Sequence, residues 1–95
     1  MIITPGAALD IENAANWYDE QLPGLGRKFL DQVESTLQQI ERTPLIYRLW
    51  QKSIRRASLR QFPFAVYFVL HESAVHVLSV LHHARSDITI ESRLG

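Results

Sequence analysis

The chain contains no cysteine, which excludes disulfides, thiolate metal sites and a cysteine nucleophile. It also lacks any apolar run near the roughly 18 residues that a membrane-spanning helix needs. The first residues do not combine a basic patch with an apolar stretch, so no signal peptide is indicated. We therefore expect a cytoplasmic protein without a membrane partner. No carboxylate or cysteine lies at ligand spacing from the histidines, and we predict no metal and no cofactor.

Acidic residues are absent from the whole stretch between Arg42 and His71. The formal net charge of 0 hides a division of the chain into two halves. Residues 1–41 contain seven acidic and two basic residues, giving −5, whereas residues 42–95 contain eight basic and three acidic residues, giving +5. This division favours an acidic or phosphate-bearing partner for the basic half. The alternative is that the two halves neutralise each other within the fold.

The length of 95 residues and the hydrophobic content of 46% are typical of one globular domain, which we expect to span residues 1–95. Apolar residues at three- and four-residue spacings predict a helix from Pro5 to about Leu22. A second apolar stripe, which ends before Pro44, predicts a helix from about Gly26 to Arg42. The short connection between them implies an antiparallel helical hairpin.

The second half of the chain has the pattern of strands. Residues 54–60 alternate in polarity, residues 64–70 are apolar on both faces as in a central strand, and residues 75–81 follow a short connection. With a short extended segment at residues 2–4, the order predicts an α+β fold. It consists of a short N-terminal strand and an antiparallel two-helix hairpin packed on a three- to four-stranded, mainly antiparallel sheet. Because the hairpin's alanine stripe covers only one face, we expect an exposed apolar groove that an amphipathic partner fills.

Short motifs follow one another along nearly the whole chain: Ala14–Tyr18; Pro23–Gly26 followed by Phe29; Val33, Leu37 and Ile40 before Pro44; Arg55 and Arg56 followed by Leu59 and Phe62–Phe64; and Val66, Tyr67, Val75, Val77, Leu78, His82 and Arg85. Their order and spacing resemble the ParE/RelE family of toxins from type II toxin–antitoxin systems, and most closely its ParE-like branch. The resemblance implies a toxin held inactive by a cognate antitoxin, whose acidic or amphipathic segment wraps it in a hetero-oligomer. It also implies a role in plasmid stabilisation.

The same resemblance implies two possible activities. ParE-like members inhibit DNA gyrase by binding alone, whereas RelE-like members cut messenger RNA on the ribosome with basic residues and a tyrosine of the C-terminal tail. Here the tail has no tyrosine, Thr89 lies about where it is expected, and Ala84 replaces an arginine of many relatives. A threonine hydroxyl is too weak an acid to replace a phenol. We therefore favour the gyrase inhibitor, a binding toxin without chemistry of its own.

Two alternatives stay open. For a ribosome-dependent endoribonuclease, an acid–base pair with a cationic clamp would come from His82, His83, Arg85, Arg56 and Arg60. The other alternative is a non-toxic relative that only binds an antitoxin-like partner. His71 and His76 flank the predicted hairpin connection, where surface strand positions explain them.

Seven residues are predicted to bind the antitoxin or the target: Trp17, Trp50, Arg55, Arg56, Arg60, Arg85 and Arg93. Arginine clusters bind carboxylates or phosphates through bidentate geometry. The alternative is a solvated strand face whose arginine stems cover apolar surface. Trp17 lies off the alanine stripe and either lines a partner groove or packs at the edge of the hairpin. Trp50 either fills a partner pocket, stacks on a base, or is a half-buried edge aromatic.

Overall fold

The computed structural model describes residues 1–85. These residues form two helices and five strands, which we number in chain order: β1 (Ile2–Ile3), α1 (Pro5–Gln21), α2 (Leu25–Arg42), β2 (Leu49–Gln51), β3 (Ile54–Ser58), β4 (Phe64–His71) and β5 (Ala74–His82). Single 3₁₀ turns cover Pro44–Ile46 and His83–Arg85. No helix in this part of the chain has the length and apolar content to cross a membrane.

Polar contacts fix both ends of the hairpin. The Thr4 hydroxyl caps α1 by accepting a hydrogen bond from the Ala7 amide at 3.3 Å, and it donates to the Val77 carbonyl at 2.9 Å. At the other end, an Asp19 carboxylate oxygen accepts the Gly26 amide at 2.7 Å. A side chain at Gly26 would collide with the Ala15 carbonyl of α1, so glycine permits this close helix crossing.

The sheet order is β1-β5-β4-β3-β2, with β1 parallel to β5 and all other neighbours antiparallel. This arrangement confirms the predicted α+β fold, although the sheet has five strands where three or four were expected. The additional strand is β2, which has only three residues and pairs irregularly with β3. A three-residue strand is too short to show the alternation by which strands are predicted, and its turn uses Lys52 at φ 51° instead of a glycine.

The hairpin between β4 and β5 turns through Glu72 and Ser73, with φ of 51° and 65°. Further along, Tyr67 pairs with Ser79 while Phe68 pairs with Val77, which leaves Leu78 as a β-bulge. Because one residue is inserted, the side chains of β5 beyond the bulge exchange faces of the sheet.

Two apolar clusters lie on opposite faces of the sheet. The cluster under the helices includes fully buried Phe29 and Phe68, and it is capped by rings of Tyr18, Phe62 and Phe64 around Phe29. Burial of a phenylalanine of this kind contributes roughly 1.5–3 kcal/mol. On the face turned away from the helices, hereafter the far face, the smaller cluster consists of Ile54, Ala65, Tyr67 and Leu81, with Trp50, Val69 and Leu78 beside it.

Val66, Tyr67 and Phe68 of the central strand are all fully buried, so no groove opens directly over them. Exposed apolar side chains lie instead at the edges of the molecule. The largest exposed fractions are those of Leu45 (70%) and Ile46 (65%), just before β2.

Two candidate binding clefts

A surface cleft, here the α1 cleft, lies between α1 and the end of β5 and measures about 670 Å³. Its walls include Asp10, Trp17, Tyr18, Phe64, His82 and Arg85. Asp10 joins the two walls, because its carboxylate accepts the Val80 backbone amide at 3.0 Å. The cleft thus combines aromatic rings with polar and charged groups, the composition of a binding groove for an amphipathic segment.

Trp17 and Tyr18 give the α1 cleft its aromatic character. The Trp17 side chain is 55% exposed, and its ring packs edge-on against Tyr18 with centroids 5.1 Å apart. Tyr18 in turn contacts the Phe29 and Phe62 rings of the core. Burial raises the pKa of the Tyr18 phenol, because the phenolate would lose hydration there. Tyr18 is therefore a neutral wall of the cleft near neutral pH.

His82 is held in one orientation at the end of β5. Its Nδ1 accepts the Ala84 backbone amide at 3.1 Å, and its ring packs edge-on against Phe64 at 5.4 Å. Because Nδ1 is an acceptor, the neutral ring carries its proton on Nε2. Neighbouring His83 is exposed, with its backbone amide bonded to the Pro63 carbonyl at 3.0 Å.

The second cleft, here the arginine cleft, lies beside β2 and β3 and measures about 460 Å³. Its walls include Ile46, Tyr47, Arg48, Trp50, Arg56 and Ser58. Strand register places it on the far face, since Arg56 is opposite Tyr67 and Ser58 is opposite Ala65, and both partners belong to the far-face cluster. The two clefts are therefore on opposite sides of the sheet.

Two of the residues that line the arginine cleft, Tyr47 and Trp50, contact neighbouring side chains. Arg55 points the other way and is half-buried, donating from Nη1 to the Tyr47 carbonyl at 2.7 Å. Trp50 packs edge-on against Tyr67 with centroids 5.1 Å apart. Burial raises the pKa of the Tyr47 phenol, with the Arg42 charge acting in the opposite direction.

Two buried polar atoms near the arginine cleft have no hydrogen-bond partner among residues 1–85: Gln51 Oε1 on β2 and the Tyr67 hydroxyl on β4. Buried polar atoms of this kind are uncommon in folded proteins.

The residues predicted for a nuclease do not surround one cleft. His82 and Arg85 line the α1 cleft, whereas Arg56 lines the arginine cleft on the other side of the sheet. Arg60 lies in a bend whose backbone amide donates to Gln32 Oε1 at 3.2 Å, and it lines neither cleft.

Four of the seven predicted binding residues line the same two clefts. Trp17 and Arg85 lie together in one, and Trp50 and Arg56 lie together in the other. Arg93, like Thr89, lies outside the described residues. His71 is an exposed strand residue and His76 is half-exposed, and their rings are 5.7 Å apart.

Sequence reasoning missed Asp10, Tyr47 and Arg48 as cleft residues. Arg48 carried a signal, since it lies within the acid-free stretch from Arg42 to His71. Within residues 1–85, no three histidine, aspartate or glutamate side chains are arranged to hold a metal ion.

Three ion pairs between residues 1–85 each stay within one half of the chain. They join the amino terminus with Glu41 at 3.5 Å, Arg27 with Asp31 at 3.2 Å, and His71 with Glu72 at 3.8 Å. These three pairs therefore do not neutralise the acidic half with the basic half.

A helical hairpin on one face of a small sheet, with clefts on both sides of the sheet, defines a small α+β domain. The family model of the ParE toxin of the type II toxin–antitoxin system parDE matches residues 1–87. The chain belongs to this ParE toxin family. A solved structure described as the chromosomal ParDE toxin–antitoxin system from P. aeruginosa has the same fold, with a TM-score of 0.76 at 16% identity over 86% of this chain and 95% of the other. No curated protein matches the chain.

Proposed function

We propose that this ParE-family toxin acts by binding DNA gyrase and stalling it on cleaved DNA, without chemistry of its own. The observation that carries the proposal is the separation of its acid–base candidates. Arg56 and His82 lie on opposite faces of the sheet and Arg60 lines neither cleft, so of the three candidate arginines only Arg85 shares a cleft with the His82 imidazole. General acid–base catalysis needs both groups within hydrogen-bond reach of the reacting atoms.

A cognate antitoxin neutralises the toxin in this proposal. The α1 cleft supports it, because the rings of Trp17, Tyr18 and Phe64 offer apolar surface beside the charges of Asp10 and Arg85. An amphipathic helix would bury its apolar side on these rings. The ParDE description of the structural match agrees with a toxin of this kind.

The test is a gyrase supercoiling assay with the purified protein, scored for loss of supercoiling and for accumulated cleaved DNA. We expect both at micromolar toxin. In cells, controlled expression should induce the DNA damage response before protein synthesis falls. Absence of both effects would contradict the proposal, and harmless overexpression would instead indicate a non-toxic relative that only binds a partner.

A ribosome-dependent endoribonuclease is the second candidate, because His82 and Arg85 do share the α1 cleft. It predicts abrupt loss of translation and messages cut near the ribosomal A site. Arg85→Ala or His83→Ala would then abolish toxicity while leaving the fold intact. Toxicity retained in both variants would remove this candidate.

A further inference from the structure

The arginine cleft carries positive charge that the described residues do not balance. Arg48 and Arg56 are both exposed, and neither forms an ion pair within residues 1–85. The same stretch of sequence supplies no carboxylate between Arg42 and His71. Two guanidinium groups at one cleft, with the Ser58 hydroxyl beside them, form a binding site for a pair of anionic groups.

The surroundings of this cleft favour a peptide over a nucleic acid. Leu45, Ile46 and Leu49 are 70%, 65% and 58% exposed, which gives the cleft an aliphatic border. Nucleic acids are bound instead by aromatic rings that are free to stack on bases. Here the Trp50 ring is half-buried and packed against Tyr67.

The backbone beside the cleft is also suited to a peptide. β2 is an edge strand, with β3 as its neighbour on one side and no strand of residues 1–85 on the other. An extended peptide can add to such an edge through main-chain hydrogen bonds, while alternate side chains reach the adjacent pockets. The hydrogen bonds from Arg56 N to the Arg48 carbonyl and from Arg55 Nη1 to the Tyr47 carbonyl hold the edge in place, which lowers the entropy cost of binding.

We propose that the β2 edge and the arginine cleft bind an extended acidic peptide segment that also carries aliphatic side chains. Its carboxylates pair with Arg48 and Arg56, and its aliphatic side chains cover Ile46 and Leu49. The inference rests on the proposed function in one respect: the antitoxin is the source of this segment. It is a second contact of the antitoxin, on the side of the sheet opposite the α1 cleft.

The test is an NMR titration of the ¹⁵N-labelled full chain with a short N-acetylated peptide that alternates glutamate and valine. We expect the amides of residues 48–51 and the Trp50 indole to shift, while the Trp17 indole in the α1 cleft serves as an internal reference and does not. Three further probes are titrated separately: the same peptide with lysine in place of glutamate, an oligothymidylate, and inorganic phosphate.

Two variants and one control identify the contact. Arg48→Gln and Arg56→Gln should each weaken binding of the acidic peptide about tenfold, the size expected for a lost charge-assisted hydrogen bond. Arg27→Gln, on the exposed face of α2 and paired with Asp31, should leave it unchanged.

Several results would overturn the proposal: no shifts at millimolar acidic peptide, equal binding of the lysine peptide, or affinity unaffected by both cleft variants. Binding of the oligonucleotide or phosphate but not of the peptide would identify a phosphate site instead. Neither gyrase nor cell growth enters this titration. Failure of gyrase inhibition and failure of peptide binding are therefore distinguishable.

Discussion

The helical half of the chain (residues 1–41) and the sheet half (residues 42–85) use their charges differently. The helical half forms internal ion pairs through Glu41 and Asp31, and the sheet half forms the exposed His71–Glu72 pair. The halves are joined by apolar packing and by polar contacts to backbone groups, such as Asp10 to the Val80 amide. These contacts between the halves do not use the guanidinium groups of the sheet half. The positive charge of these arginines is therefore left for a partner.

The largest expected effect tests whether the helical half is stable without the sheet. Phe29 is fully buried and contacts three aromatic rings, two of which, Phe62 and Phe64, come from the sheet half. Phe29→Ala should lower the free energy of unfolding by about 3–5 kcal/mol, measured by urea denaturation. The exposed Leu45→Ala is the control and should change it by less than about 0.5 kcal/mol. A small effect of Phe29→Ala would mean that the halves are stable independently.

A smaller effect tests how closely the two helices must approach. Gly26→Ala should cost roughly 2 kcal/mol, because the new methyl group overlaps the Ala15 carbonyl and lies 2.8 Å from the Asp19 carboxylate. A methyl group at Gly24 would have open space around it, and only the φ of 91° disfavours a side chain there. Gly24→Ala should therefore lower the free energy of unfolding by about 1 kcal/mol. Thermal denaturation of both variants separates the two causes. Equal losses of stability in the two variants would show that the cost comes from backbone conformation alone and not from the overlap with Ala15.

The sheet half, in contrast, should accept a stabilising change. Glu72 and Ser73 hold positive φ in a two-residue hairpin, a conformation that asparagine and glycine adopt more readily. The double substitution Glu72→Asn with Ser73→Gly should raise the free energy of unfolding by about 1 kcal/mol. Denaturant midpoints provide the measurement. A loss of stability would show that the His71–Glu72 contact matters more than the turn conformation.

The smallest expected effect is on the pH dependence of stability, at Tyr18, whose ring contacts Phe62 and Phe64 of the sheet half. Burial raises the Tyr18 pKa above its unfolded value of about 10, so the native state retains the phenolic proton longer than the unfolded state does. The stabilising contribution is complete below pH of about 10 and is lost as the pH rises from there through the folded-state pKa. Tyr18→Phe should reduce the fall in stability above this pH. An unchanged pH dependence in this variant would contradict the assignment.

Sequence patterns located most of the fold. The second helix was expected from about Gly26 to Arg42 and begins one residue earlier, and the two long strands extend the predicted ranges by one residue at most ends. These elements are long enough for their periodicity to be visible. The three-residue strand β2 was missed because it is too short to show a periodicity. The contribution of Arg48 to the arginine cleft was missed with it.

Which candidate site residues lie together was harder to predict from the sequence. Strict alternation along β5 from Val77 would place His82 on the far face, with Arg56. The bulge at Leu78 reverses the alternation, so His82 contacts Phe64 on the helical side. A bulge of this kind has no signal in a single sequence when no glycine marks it.

By itself, the sequence determined the two helices, the central strands and the separation of acidic from basic residues, because each of these follows from local spacing and composition. Only the tertiary structure decided which charged groups share a cleft. The physical reason is that membership in a cleft depends on strand register and on one inserted residue, and these are set by packing between segments distant in the chain.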